Sequence, residues 1–193
     1  MVATRNPGKL AEFRRLLAGA PWHLVDLDEA GVEGEVEEPG PGYLENAVAK
    51  AVTVSAATGL AAIADDSGIE VDALAGWPGP RSARWLAGTD ADRLRGLLDA
   101  VEARSPADRR ARYVCVVALV RPGAEPVTSR GECAGILVAP RGDAGFGYDP
   151  AFLSDDLGVT FGEVTAEAKD GVSHRARALR TLAGSALSGP SRA

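Results

Sequence analysis

The chain has 193 residues, 46% of them hydrophobic and 25% charged, with a formal net charge of −6. That length suits one domain, or one domain with two lobes, around a sizeable core. The acidic balance argues against non-specific nucleic-acid or membrane binding, and no apolar run reaches the length of a membrane span.

Residues 1–3 read as a strand stub. Thr4-Arg5-Asn6-Pro7-Gly8-Lys9 follows and leads into a helix to about Ala18, with Leu10, Phe13, Leu16 and Leu17 on one face. Asn6 suits an N-cap and Pro7 a first helical residue. The segment therefore offers a helix N-terminus with Lys9 in its first turn, an arrangement that receives phosphate. A plain capped helix with a solvated lysine would look the same in isolation. Residues 22–27 read as a short strand, and an acidic loop carrying Glu33, Glu35, Glu37 and Glu38 comes next. A helix over residues 43–58 is expected to bury Leu44, Ala47, Val48, Ala51 and Val52, with Glu45, Asn46 and Lys50 off that face.

The apolar run 60–64 is expected to end in Asp65-Asp66 and a Ser67-Gly68 turn. Neighbouring side chains on a strand point to opposite faces, so the two carboxylates do different jobs. Residues 76–85 form a rigid loop with two arginines. A helix over 90–103 buries Leu94, Leu97, Leu98 and Val101. Strands are expected at 112–120, 127–133 and 135–139. Cys115 and Cys133 fall within these apolar runs, lack metal-ligand or redox spacing, and read as reduced core residues of a cytosolic protein. Gly145-Phe146-Gly147-Tyr148-Asp149-Pro150 lets backbone approach a ligand while a ring stacks on it. Lys169 and then Ser173-His174-Arg175 close the pattern. Ser173 caps a final helix whose first turn holds two cationic residues, a placement that calls for an anion or a base edge. Residues 189–193 read as a frayed tail.

In order, the chain contains Thr4-x-Asn6-x-x-Lys9, Glu45-Asn46-Ala47-x-x-Lys50-Ala51, Ala64-Asp65-Asp66-Ser67-Gly68, Pro78-Gly79-x-x-Ser82-Ala83-Arg84, Gly145 to Pro150, and Ser173-His174-Arg175. This resembles the inosine/xanthosine triphosphate pyrophosphatases, hydrolases of non-canonical purine nucleotides. The resemblance implies an α/β fold, an elongated central mixed sheet flanked by helices. It implies two lobes with a nucleotide cleft, within one domain over residues 1–188. It also implies a cytoplasmic homodimer, Mg²⁺ dependence, and cleavage of a nucleoside triphosphate to monophosphate and pyrophosphate. Thr4, Asn6 and Lys9 would meet the phosphates, Lys9 with a catalytic role, and Arg5, Pro7 and Gly8 would also contact substrate. Asp66 would be general base and metal ligand, and Glu37 or Glu38 the second metal-binding acid. Ser67, Phe146, Gly147, Tyr148, Asp149, Lys169, His174 and Arg175 would contact substrate. A non-catalytic nucleotide sensor is the competing class, but an anion binder gains nothing from unneutralised carboxylates. An aspartyl-phosphate route wants its two acids on one face, which adjacent strand residues do not provide.

Overall fold

The computed structural model describes residues 1–34, 36 and 40–187; Glu37, Glu38 and the 189–193 tail lie outside them. Five α-helices and four strands are present among these residues, α1 (Pro7–Leu16), α2 (Tyr43–Thr58), β1 (Ala62–Val71), α3 (Asp90–Arg104), β2 (Arg110–Val120), β3 (Val127–Leu137), β4 (Phe152–Ser154), α4 (Ala166–Val172) and α5 (His174–Leu187). The strands form an open sheet in the order β1-β2-β3-β4, with β3 and β4 antiparallel. Val2 adds a parallel bridge to Ile63 of β1. The α/β expectation holds.

Four local expectations change. Residues 22–27 form no strand; Val2 N–H donates to Val25 O at 2.8 Å, and one such bond makes no ladder. The two strands expected at 127–133 and 135–139 are one, β3, which pairs through Gly135 with Ser154. α2 buries Tyr43, Asn46, Ala47, Lys50, Ala51, Val54 and Ser55, leaving Leu44 48% and Val52 43% exposed. Small Ala47 and Ala51 let the helix approach closely, and Asn46 and Lys50 share their face at the i, i+4 spacing. Finally, β1 does not stop at the paired acids but continues to Val71. Gly68 is no turn residue. A Cβ there would lie 2.0 Å from the Gly79 carbonyl oxygen, so glycine is needed for close approach of two backbones. Ser82 locks that approach: its hydroxyl accepts from Ile69 N–H at 2.9 Å and donates to Gly79 O at 2.6 Å.

The chain divides into two compact units. The first comprises Met1–Asp66, Cys115–Gly131 and the chain from Arg175 on, around a core that includes Val2, Phe13, Ile63, Val117 and Leu179. The second comprises Ser67–Val114 and Glu132–His174, around Ile69, Leu97, Tyr113, Leu137, Phe152 and Phe161. Cys115 belongs to the first and Cys133 to the second; both are buried and neither is in a disulfide. No helix among the described residues is long and apolar enough to cross a membrane.

Candidate functional site

In the first unit, α1 begins as its sequence dictates. The Asn6 side chain accepts from Lys9 N–H at 3.0 Å, and Thr4 Oγ1 accepts from Asn6 N–H at 3.2 Å. Pro7 has no N–H to leave unpaired. Gly8 N–H, next in the helix, has no acceptor among the described residues. Arg5 turns the other way, donating to Asp28, to Val32 O and, at 3.0 Å, to Gly34 O, so it fastens the segment that leads into the acidic loop.

Lys9 reaches back along the helix to Asp65, its ammonium 3.1 Å from Oδ2. The same Oδ2 accepts from Arg175 Nη2 at 2.8 Å and Nε at 3.3 Å. Arg175 is 1% exposed and also donates to Glu12, itself buried one turn beyond Lys9 on α1. Burial alone would raise the Asp65 pKa, but Arg175, with Lys9 and Lys50, overcomes it and holds this carboxyl well below the usual range. Burial lowers the Lys9 pKa, against the pull of Asp65.

Asp66 meets a different environment. Its Oδ2 accepts from Asn46 Nδ2 at 2.9 Å, and Lys50 Nζ lies 3.8 Å from Oδ1. Burial pushes the Asp66 pKa up, with Lys50, Lys9 and Asn46 opposing. Asn46 also accepts from Gly40 N–H at 2.8 Å, which ties the end of the acidic loop to the side chain holding Asp66. Among the described residues no three His, Cys, Asp or Glu side chains converge on a metal position. Mg²⁺ does not require this: it keeps several waters and takes one or two carboxylates together with substrate phosphates. Asp66 fits that demand, since a buried carboxylate that resists ionisation gains most from a cation. Glu37 and Glu38 fall outside the described residues.

In the second unit the glycine-rich loop is folded around Asp149. Asp149 accepts from Lys169 Nζ at 2.5 Å, Tyr113 O–H at 3.0 Å and Phe146 N–H at 2.9 Å. Gly145 makes this possible, with φ +76° and the Asp149 carboxylate where a Cβ would sit. Gly147 N–H donates to Asp90 at 3.0 Å. Phe146 is half-buried with the Lys169 ammonium 4.8 Å from its ring centre, whereas Tyr148 is sunk in the core. The Tyr148 hydroxyl donates to Ser82 O and accepts from Trp85 Nε1, both at 2.8 Å, and burial lifts its pKa to about 12. Of the two candidate rings for stacking on a base, Phe146 is the more accessible. The His174 imidazole stacks on Tyr113, rings 4.6 Å apart and 8° from parallel. Ser67 on β1 is half-buried.

The structure thus gathers Lys9, Asp65, Asp66 and Arg175 in one unit, and Phe146, Asp149, Lys169 and His174 in the other. Sequence reasoning missed the burial of Glu12, Asn46, Lys50 and Tyr113. Glu12 follows Lys9 by three and Phe13 is core, so it lies where α1 turns inward; the Asn46 and Lys50 spacing was the corresponding signal on α2.

The model of the Ham1 family matches residues 1–185. The chain belongs to the Ham1 family. Among members, the dITP/XTP pyrophosphatase of Symbiobacterium thermophilum is 54% identical over 181 residues, covering 93% of this chain and 90% of that protein. The dITP/XTP pyrophosphatase of Geobacter sulfurreducens is 44% identical over 185 residues, covering 94% and 93%. A Ham1 protein structure from Coxiella burnetii superposes with a TM-score of 0.86 at 37% identity, covering 96% of each chain. Membership accounts for the six ordered motifs and for the α/β architecture together.

Proposed function

We propose that this protein hydrolyses non-canonical purine nucleoside triphosphates, ITP, dITP and XTP, to the monophosphate and pyrophosphate, removing them from the nucleotide pool. The observation that carries this reading is the adjacent pair Asp65-Asp66, with one carboxylate locked to cations and the other raised in pKa beside Asn46 and Lys50. Asp66, held by Asn46, is the base and would be a Mg²⁺ ligand, with Glu37 or Glu38 as second acid. When bound, Mg²⁺ supplies charge neutralisation for the triphosphate and polarises its phosphoryl oxygens. A water attacks the α-phosphorus in line, its proton passes to Asp66, and the bond to the pyrophosphate oxygen breaks. Lys9 and Gly8 N–H, at the α1 N-terminus, stabilise the charge gathered on the leaving group. Thr4 and Asn6 hold that loop in shape.

Phe146 stacks on the purine, with Gly147, Tyr148, Asp149 and Lys169 fixing its loop. His174 and Arg175 accept hypoxanthine and xanthine through donors aimed at the C6 oxygen; adenine opposes them with an amino group. Because the Arg175 guanidinium is taken up by Glu12 and Asp65, its backbone N–H is the better donor. The protein acts in the cytoplasm as a homodimer, a reading supported by the exposed apolar side chains of Leu44 and Val52; sedimentation at micromolar concentration tests it.

A nucleotide panel with pyrophosphate detection, with and without Mg²⁺, tests the function. ITP, dITP and XTP should be cleaved with Mg²⁺, and ATP and GTP poorly. ATP hydrolysed as fast as ITP would overturn it.

A further inference from the structure

Glu12 belongs to no motif singled out in the sequence, yet it is a buried acid committed to Arg175. Four charges alternate through this part of the first unit: Glu12, Arg175, Asp65, Lys9. Three elements supply them. α1 presents Lys9 and Glu12 on one face at i, i+3, β1 carries Asp65, and α5 carries Arg175 in its first turn.

The geometry at Asp65 is lopsided. Arg175 Nη2 and Nε, together with Lys9 Nζ, all converge on Oδ2, whereas the buried Oδ1 accepts no hydrogen bond among the described residues. Guanidinium and carboxylate ordinarily favour a two-oxygen fork. Arg175 turns its Nε–Nη2 edge to Asp65 and its Nη1 to Glu12, so Glu12 holds the far side of the guanidinium. Neutralising Glu12 removes that hold, and the angle at which the guanidinium meets the carboxylate shared with Lys9 is then less constrained.

We infer that Glu12 is a positioning residue for the reaction: through Arg175 it fixes the orientation of the Asp65 carboxylate, and through that carboxylate it aims the Lys9 ammonium at the phosphates. The inference rests on the reading of Lys9 as a phosphate contact. The Glu12 carboxylate and the Arg175 guanidinium touch neither substrate nor metal in this scheme.

A double-mutant cycle tests it, with kcat/KM for ITP, Mg²⁺ present, as readout and thermal melting to establish that each variant is folded. Glu12→Gln keeps the size and an acceptor oxygen but loses the charge that competes for Arg175. It should lower kcat/KM about tenfold, within the range of coupling between neighbouring charged groups. Lys9→Ala should lower it by more. In the Lys9→Ala background, adding Glu12→Gln should cost less than about twofold, because the group it aims is gone. A Glu12→Gln enzyme with parental kcat/KM overturns the inference. So does an undiminished tenfold loss in the Lys9→Ala background, which would mark Glu12 as merely structural. A Lys9→Ala enzyme with parental activity removes the phosphate reading itself, and the inference with it. Should Glu12→Gln fail to fold, Glu12→Asp, whose carboxylate is one methylene too short to hold Arg175 Nη1, goes through the same cycle with the same deciding outcomes.

Discussion

The two units bury charge in opposite styles. The first packs Lys9, Lys50 and Arg175 against Glu12, Asp65 and Asp66, with aliphatic side chains around them. The second buries one ion pair, Asp149 with Lys169, and surrounds it with the rings of Tyr113, Phe146, Phe161 and His174. A dense, balanced cluster next to a helix N-terminus suits a ligand that is itself charged, because each new charge finds an opposite one already placed. A single pair among aromatic faces suits a flat, neutral ring. The contrast teaches that buried charge has two uses here, one electrostatic and one architectural.

The contrast is broken most severely at Asp66. Asp66→Asn should lose on the order of 10²–10⁴-fold in kcat, the usual worth of a positioned base. It should melt no lower than the parent, since burial disfavours the ionised acid that is removed. Near-parental turnover by folded protein would take Asp66 out of the chemistry.

In the second unit the corresponding cut is Lys169→Met, which strands a buried Asp149 carboxylate. Unfolding free energy should fall by about 3–5 kcal/mol, as measured in urea. A loss of activity without loss of stability would show that Lys169 serves substrate directly and not loop architecture.

Lys9→Ala sharpens the first half of the comparison. Losing a charge-assisted phosphate contact, roughly 1.5–3 kcal/mol, should weaken ITP binding about ten- to a hundredfold while leaving inosine binding alone. Phe146→Ala and Tyr148→Phe sharpen the second. Phe146→Ala should raise KM for ITP and XTP by similar factors, since stacking contributes affinity without reading the base edge. Tyr148→Phe should cost about 1 kcal/mol of stability, the worth of the lost hydroxyl contacts, with KM unchanged.

The last effect concerns acid. Asp65 has a folded-state pKa below its unfolded value, so the unfolded chain binds more protons and stability rises with pH. The contribution is present at neutral pH and drains away as pH falls below about 4, the ordinary value for an aspartate. Asp65→Asn should flatten that part of the stability curve in urea titrations at stepped pH.

Much of this was legible in residue order. α2 began and ended at the expected residues, Tyr43 and Thr58, because Gly59 takes the left-handed conformation that closes a helix. The alternation argument for Asp65 and Asp66 anticipated two environments and the structure supplies them. What the sequence hid was burial of the polar partners. Asn46 and Lys50 look like solvent-facing helix residues until Asp66 is known to be opposite them, and Arg175 looks like a ligand donor until Glu12 is found beside it. Such pairs join residues up to 163 positions apart, and no local pattern encodes them. Gly68 misled for a related reason: the backbone it must accommodate, at Gly79, is distant in sequence from the turn it imitates.

Each unit also carries one inaccessible sulfur, Cys115 in the first and Cys133 in the second. Burial raises the Cys115 thiol well above its ordinary pKa, so it stays protonated and unreactive while its surroundings hold. The pair is therefore an intrinsic set of unfolding reporters. Alkylation by iodoacetamide in rising urea, followed by peptide mapping, would show whether the charge-rich unit and the aromatic unit open at one denaturant concentration or at two, with no label added to the protein.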